Sequence, residues 1–170
     1  LGAVSSAAAG YSVFVATVPG DDDSFSLVDI SSPSSSVDLG GSSSFTMNSK
    51  FRGAAATSDG KVIFAPLYAD GVGVFDPSDN SFALVDISST ISMDQKFAGA
   101  ATARSGKVIF PPYKANSVGV FDPSDNSFAL VDISATISTG YKFAGAAAAN
   151  NGKIIFAPTG STGVGVFDPS

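Results

Sequence analysis

The apolar positions of this chain fall into short runs that never take up the 3.6-residue spacing of a helix. From residue 50 onward each run closes on a turn signal. FRGAAA (51–56) is followed by the turn TSDG, then KVIFAP (61–66), VGVF (72–75) and SFALVDIS (81–88). Val, Ile and Phe in such runs favour a pleated strand. In VIF and ALV the apolar residues are adjacent, so both faces of the pleat are hydrophobic, whereas a sheet with one wet face would alternate. The predicted unit is four strands, A to D, covered on both sides.

The unit repeats. Lys50, Lys96 and Lys142 open near-copies at intervals of 46 residues. Each A strand ends in a turn closed by Gly (TSDG, ARSG, NNG), the chemistry of a tight hairpin with a residue at positive φ. Each C strand runs into Asp-Pro, the favoured opening of a type I turn. Two full units (50–95 and 96–141) and a partial one (142–170) follow from the spacing. Residues 1–49 read as a degenerate unit. There SVFVATV (12–18) resembles strand B, SFSLVDIS (24–31) nearly repeats strand D, PGDDD replaces strand C, and 31–46 form a Ser- and Gly-rich loop. The expected architecture is all-β: tandem four-stranded antiparallel blades of a β-propeller forming an incomplete ring. A β-solenoid is the alternative, disfavoured because its coils are usually shorter and lack recurring hairpin turns.

The last unit breaks off at VFDPS. SFSLVDIS could supply its missing strand, a second copy of the chain could close the ring, or the chain is a fragment of a longer array. The last reading is favoured, because the repeat stops without a capping change.

The segment from strand B through VGVFDPSDNSF resembles a kelch repeat. Phe75, Phe121 and Phe167 stand at that family's Tyr, and Asp76-Pro77, Asp122-Pro123 and Asp168-Pro169 at its Asp-Pro. Phe82 and Phe128 stand at its Trp, while Ala65-Pro66, Pro111-Pro112 and Ala157-Pro158 replace its double Gly. The resemblance implies a propeller and says little about activity, since such folds host many functions. Copper oxidases of that family need His and a Cys-linked Tyr, which this chain lacks.

Composition narrows the chemistry. Hydrophobic residues make up 44% and charged residues 14%, the balance of a folded chain. With a net charge of -6 and only nine scattered Lys and Arg, neither nucleic acid nor an anionic membrane surface is an expected partner. No apolar run approaches the ~20 residues of a membrane span, so no membrane insertion is expected. There is no Cys and no His. Their absence removes the usual zinc sites, haem ligation by His, Cys nucleophiles and Ser-His-Asp triads, and no cofactor, metal or catalytic residue is expected. The compartment is not legible.

In a four-stranded meander the BC and DA loops share one end of the sheet. These loops vary between repeats (LYADG, YKANS, TGST; SMDQ, STGY), while the CD turn DPSDN is constant. Varied loops on a uniform scaffold mark a binding face. Its candidate residues are Tyr68, Asp94, Gln95, Tyr113, Lys114 and Tyr141, against the plainer reading that exposed loops simply drift. Lys50, Lys96 and Lys142 are expected along a central channel, with Asp86 and Asp132 as partners. The run Asp21, Asp22 and Asp23 offers oxygens but no spaced calcium pattern. The expectation is a non-enzymatic protein-interaction or structural module, a subunit of a larger assembly with a protein partner. A carbohydrate-binding, lectin-like propeller is the alternative. A carboxylate-based hydrolase comes third.

Overall fold

The computed structural model describes residues 6–8, 11–17, 24–28, 30 and 48–169. Every regular element among them is a strand. The acidic run at 21–23 and the loop 31–46 lie outside the described residues.

Four antiparallel meanders follow one another. β1 (Ser6–Ala8), β2 (Tyr11–Thr17) and β3 (Ser24–Val28) form the first. β4 (Phe51–Ala56), β5 (Val62–Pro66), β6 (Gly71–Asp76) and β7 (Ser81–Asp86) form the second. β8 (Ala101–Thr102), β9 (Val108–Phe110), β10 (Ser117–Asp122) and β11 (Ser127–Asp132) form the third. β12 (Phe143–Ala148), β13 (Ile154–Pro158) and β14 (Gly165–Phe167) form the fourth.

The turns behave as their residues dictate. Gly60, Gly106 and Gly152 sit at φ 90, 87 and 90° in the AB hairpins. At the CD turns Asp76 Oδ1 accepts from Ser78 N (2.9 Å) and Asp122 Oδ1 from Ser124 N (3.0 Å). These are the side-chain-closed turns that Asp favours.

One strand assignment differs from the sequence reading. Thr17 pairs with Ser24 and Phe14 with Leu27, as Asp76 pairs with Ser81 and Gly73 with Leu84. Residues 11–17 therefore stand in the place of strand C, and β1 in that of strand B. Hairpin register decides the role of a strand, and SVFVATV carries strand-B composition in a strand-C position. SFSLV is thus hydrogen-bonded within its own sheet.

Alternation gives each blade two unlike faces. One is aliphatic (Ile63, Val72, Val74 and Val85) and the other phenylalanine-rich (Phe51, Phe64, Phe75 and Phe82). The core forms where unlike faces meet. Ile63, Ala65 and Val72 pack on Phe97, Phe110 and Phe121 of the next blade. Ala101, Ile109 and Val118 pack in the same way on Phe143, Ile154 and Phe156. The stacking is directional, always aliphatic face onto phenylalanine face.

The A strands touch across blades. Gly99 N donates to Arg52 O (2.6 Å) and Gly145 N to Ala98 O (2.7 Å). A bulge between Phe51 and Ala54, and again between Phe143 and Ala146, holds the glycine at positive φ. A Cβ on Gly53 would lie 2.5 Å from Gly99 Cα. Only glycine permits backbones to approach this closely.

Candidate functional site

The BC and DA loops meet at one end of the sheets, and the backbone joins them. Lys96 O accepts from Tyr113 N (2.9 Å) and Ala115 N (3.3 Å), while Lys142 N donates to Tyr113 O (2.8 Å). Each BC loop is therefore held by its own blade and by the next one. Tyr68 and Gln95 lie at the first such junction, where Gln95 Nε2 donates to the Tyr68 hydroxyl. Gln95 Oε1 is buried and takes no hydrogen bond from the described residues.

The second junction repeats these positions with different chemistry. Lys114 and Tyr141 stand 46 residues after Tyr68 and Gln95, and Lys114 Nζ lies 4.8 Å from the centre of the Tyr141 ring. Tyr113 meets Tyr141 edge-on at 5.1 Å, and the Arg52 guanidinium sits 5.0 Å from the Tyr113 ring centre. Cations over aromatic faces contribute about 0.5–1 kcal/mol each at exposed sites. Gln95 and Tyr141 both hold left-handed backbone, φ 59 and 56°. Ser49, the equivalent residue one repeat earlier, holds the same backbone (φ 59°), so this conformation belongs to the repeat.

Five of the six expected residues are thus gathered into two equivalent junctions: Tyr68 with Gln95, and Tyr113 with Lys114 and Tyr141. Asp94 is exposed beside them; its charge acts on Lys96. Arg52 was missed by the sequence reading, because it lies in an A strand at a position occupied by Ala98 and Ala144 in the other repeats. That deviation from the repeat was the available signal.

The recurring lysines are placed differently from the channel expected of them. Lys96 and Lys142 are 1% and 0% exposed. Lys142 Nζ reaches back to the preceding BC loop and donates to Ala115 O (2.9 Å), Lys114 O (3.3 Å) and Asn116 Oδ1 (3.1 Å). Lys96 Nζ donates to Met93 O (2.7 Å). Burial pushes both ammonium groups below the ordinary lysine range, and the charges of Asp70 and Asp94 partly offset this at Lys96. Asp86 and Asp132 accept instead from Ser88 N and Ser134 N, both at 2.8 Å. The loop carbonyls crowd the junction with acceptors, and those acceptors claim the lysines. Among the described residues the ion pairs are made by Lys61, Lys107 and Lys153, with Asp59 (3.2 Å), Asp122 (3.8 Å) and Asp168 (3.0 Å).

No protein-family model and no curated protein sequence matches the chain. Solved structures do match in fold. The chain is similar to virginiamycin B lyase from Staphylococcus aureus, in a catalytically inactive His-to-Ala form solved with quinupristin. That match has a TM-score of 0.56 at 13% identity and covers 94% of this chain and 49% of the lyase. A streptogramin B lyase gives a TM-score of 0.55 at 14% identity, covering 99% of this chain and 54% of that one. A selenomethionine form of the S. aureus lyase gives 0.52 at 15%, covering 69% and 41%. The chain therefore spans about half the length of the structures it matches, and its fold is that of a β-propeller built from four-stranded antiparallel blades.

These neighbours correct the functional expectation. They are enzymes, which removes the support for a non-enzymatic interaction or structural module, for its lectin-like alternative, and for the statement that the chain is no enzyme. Carboxylates remain in the chain, so the absence of His and Cys does not by itself exclude catalysis.

Proposed function

We propose that this chain is a ligand-holding arc of a lyase-type propeller, with the BC and DA loop end as its substrate face. The observation that carries the reading is the second junction, where Tyr113 and Tyr141 meet edge-on beneath Arg52 and Lys114. Paired rings offer a stacking surface, and the two cations offer charge to carbonyl or carboxylate oxygens. The matching ligand is an organic molecule with an aromatic ring beside such oxygens.

A lyase step needs a base to take a proton and positive charge to support the electrons left behind. The S. aureus lyase is catalytically inactive when one of its histidines is replaced by alanine, and these 170 residues contain no histidine. Their share of the work is to bind and orient, with Arg52 and Lys114 stabilising developing negative charge. Within the same reading the repeat is of kelch type. Support comes from the Asp-Pro turns closed by Asp76 and Asp122 and from Phe82 and Phe128 behind them.

Quinupristin is the first probe. Titration followed by calorimetry should show saturable binding, weakened about fivefold to tenfold in Tyr113→Ala and in Lys114→Ala. Mass spectrometry of the recovered ligand reports any bond cleavage. No binding, or binding equal in both variants, would refute the proposal.

A further inference from the structure

The AB hairpins of the second, third and fourth sheets differ at one position of the turn, and the following lysine is placed accordingly. Asp59, Ser105 and Asn151 are equivalent residues, each followed by Gly and then Lys. With a carboxylate there, Lys61 Nζ pairs with Asp59 Oδ2 at 3.2 Å, while Asp76 at the end of β6 feels that lysine only from a distance. With Ser105 there, Lys107 crosses to Asp122 at 3.8 Å. With Asn151 there, Lys153 crosses to Asp168 at 3.0 Å.

Asn151-Gly152 is also the one Asn-Gly step in the sequence. Asn48, Asn80, Asn116 and Asn126 precede Ser, and Asn150 precedes Asn. An asparagine side chain can be attacked by the backbone nitrogen of the residue after it, and a Cβ on that residue crowds the attack. Glycine has none. Asn151 is exposed at its hairpin tip. Its Oδ1 accepts from Lys153 N (3.1 Å), which folds the side chain over its own turn, with the Gly152 nitrogen inside the ring that the contact closes. A donor on that oxygen also supports the negative charge it gains during attack. The opposing restraint is a single turn hydrogen bond, Gly152 N to Ala149 O at 2.9 Å.

We propose that Asn151 is a site of spontaneous deamidation whose product re-routes the charges around this hairpin. The Gly152 nitrogen bonds to Asn151 Cγ, the Cγ–Nδ2 bond breaks, and ammonia leaves with the proton that the Gly152 nitrogen gives up. Water then opens the cyclic imide at either carbonyl, to aspartate or to isoaspartate. Aspartate fits the turn without rebuilding it, because the Asp59 hairpin already has the same backbone. Thr57 N donates to Lys61 O and Ala149 N to Lys153 O, both at 2.8 Å, and Gly60 and Gly152 both hold φ 90°. The new carboxylate stands where Asp59 stands and draws Lys153 from Asp168. Arg104 of the preceding sheet is the second cation in range. Its Cδ, Nε and Nη1 lie 3.7, 3.8 and 3.9 Å from where a Cβ on Gly152 would sit, and among the described residues it makes no ion pair. Deamidation thereby exchanges an ion pair between the ends of β13 and β14 for one at the hairpin tip, beside the neighbouring blade.

Peptide mapping by mass spectrometry tests the site on the full chain, incubated folded and in urea at mildly alkaline pH. Trypsin releases residues 143–153 as one peptide carrying Asn150 and Asn151, and fragmentation assigns the gain of a single mass unit to one of them. Asn151 should convert before the other asparagines. Its rate in the folded chain should lie within about tenfold of that in urea, because one turn hydrogen bond is all that must open. Asn151→Ser, which carries the residue of the second hairpin, should remove the conversion from this peptide. In a crystal structure of Asn151→Asp, Lys153 Nζ should pair with residue 151. Earlier conversion of another asparagine, or survival of Asn151 in the folded chain while the urea-treated chain converts, would overturn the site. Lys153 still seated on Asp168 in Asn151→Asp would overturn the re-routing.

Discussion

The third and fourth sheets carry the same aliphatic face in different surroundings. Ile109 and Val118 are sealed against Phe143 and Phe156, while among the described residues no blade covers Ile155, Val164 and Val166. The residue types do not change: Ile109 becomes Ile155, and Val118 becomes Val164. The difference shows that blade stability is a neighbour property. A valine contributes to the core only when the next phenylalanine face covers it, as expected of an array whose energy sits in nearest-neighbour interfaces.

Exchanging one residue tests this most severely. Val118→Asp places a carboxylate between two sheets with no partner and should cost about 4 kcal/mol or more, enough to unfold the central interface. Val164→Asp, measured on monomeric chain, should stay within about 0.5 kcal/mol of wild type. Urea unfolding of both variants separates the cases. Similar losses at the two sites would mean that the valines stabilise each sheet from within.

The glycines of the A strands sharpen the same contrast. A Cβ on Gly99 would lie 2.7–2.9 Å from the backbone of Gly145, at φ 119°. A Cβ on Gly145 would meet nothing nearer than Ala157 Cβ at 3.7 Å, at φ 111°. Gly99→Ala therefore adds a clash to backbone strain and should cost about 3 kcal/mol. Gly145→Ala carries the strain alone, about 1 kcal/mol. Thermal unfolding should rank them in that order, and equal shifts would show that the inter-blade approach is looser than these distances require.

Much of this architecture was legible in the residues. The 46-residue spacing gave the blades, TSDG and ARSG gave the AB turns, and DPSDN gave the CD turns. Adjacent apolar positions in VIF foretold burial on both faces. The glycine inside FRG and FAG carried a readable sign of a bulge or close approach, since glycine weakens an ordinary strand. The candidate site was half legible. Loop variation pointed to Tyr68, Gln95, Tyr113, Lys114 and Tyr141, but their pairing depends on left-handed backbone at Gln95 and Tyr141, which neither residue type announces. Arg52 was hidden inside a strand. The lysines were misplaced because a repeated Lys suggests a repeated carboxylate, while the acceptors they found are main-chain oxygens without a sequence signature. The register of SVFVATV was set by its hairpin, beyond the reach of composition.

Those lysines provide the smallest test. Lys96 and Lys142 are equivalent and buried, but Lys96 has the charges of Asp70 and Asp94 nearby, whereas Asn116 stands in the place of Asp70 beside Lys142. Lys142→Ala strands the carbonyls of Lys114 and Ala115 and should cost about 2 kcal/mol; Lys142→Met fills the space without a buried charge and should cost less. The pH dependence separates charge from packing. Burial holds the Lys142 pKa below the ordinary 10.5, so just below that pH the unfolded chain binds a proton that the folded chain has released. Unfolding free energy therefore rises with pH from the folded value up to 10.5, as the cost of a buried ammonium is relieved. In Lys142→Met that rise should be shallower, with Lys96 contributing what remains. An unchanged slope would mean that the three oxygens around Lys142 Nζ compensate fully for its burial.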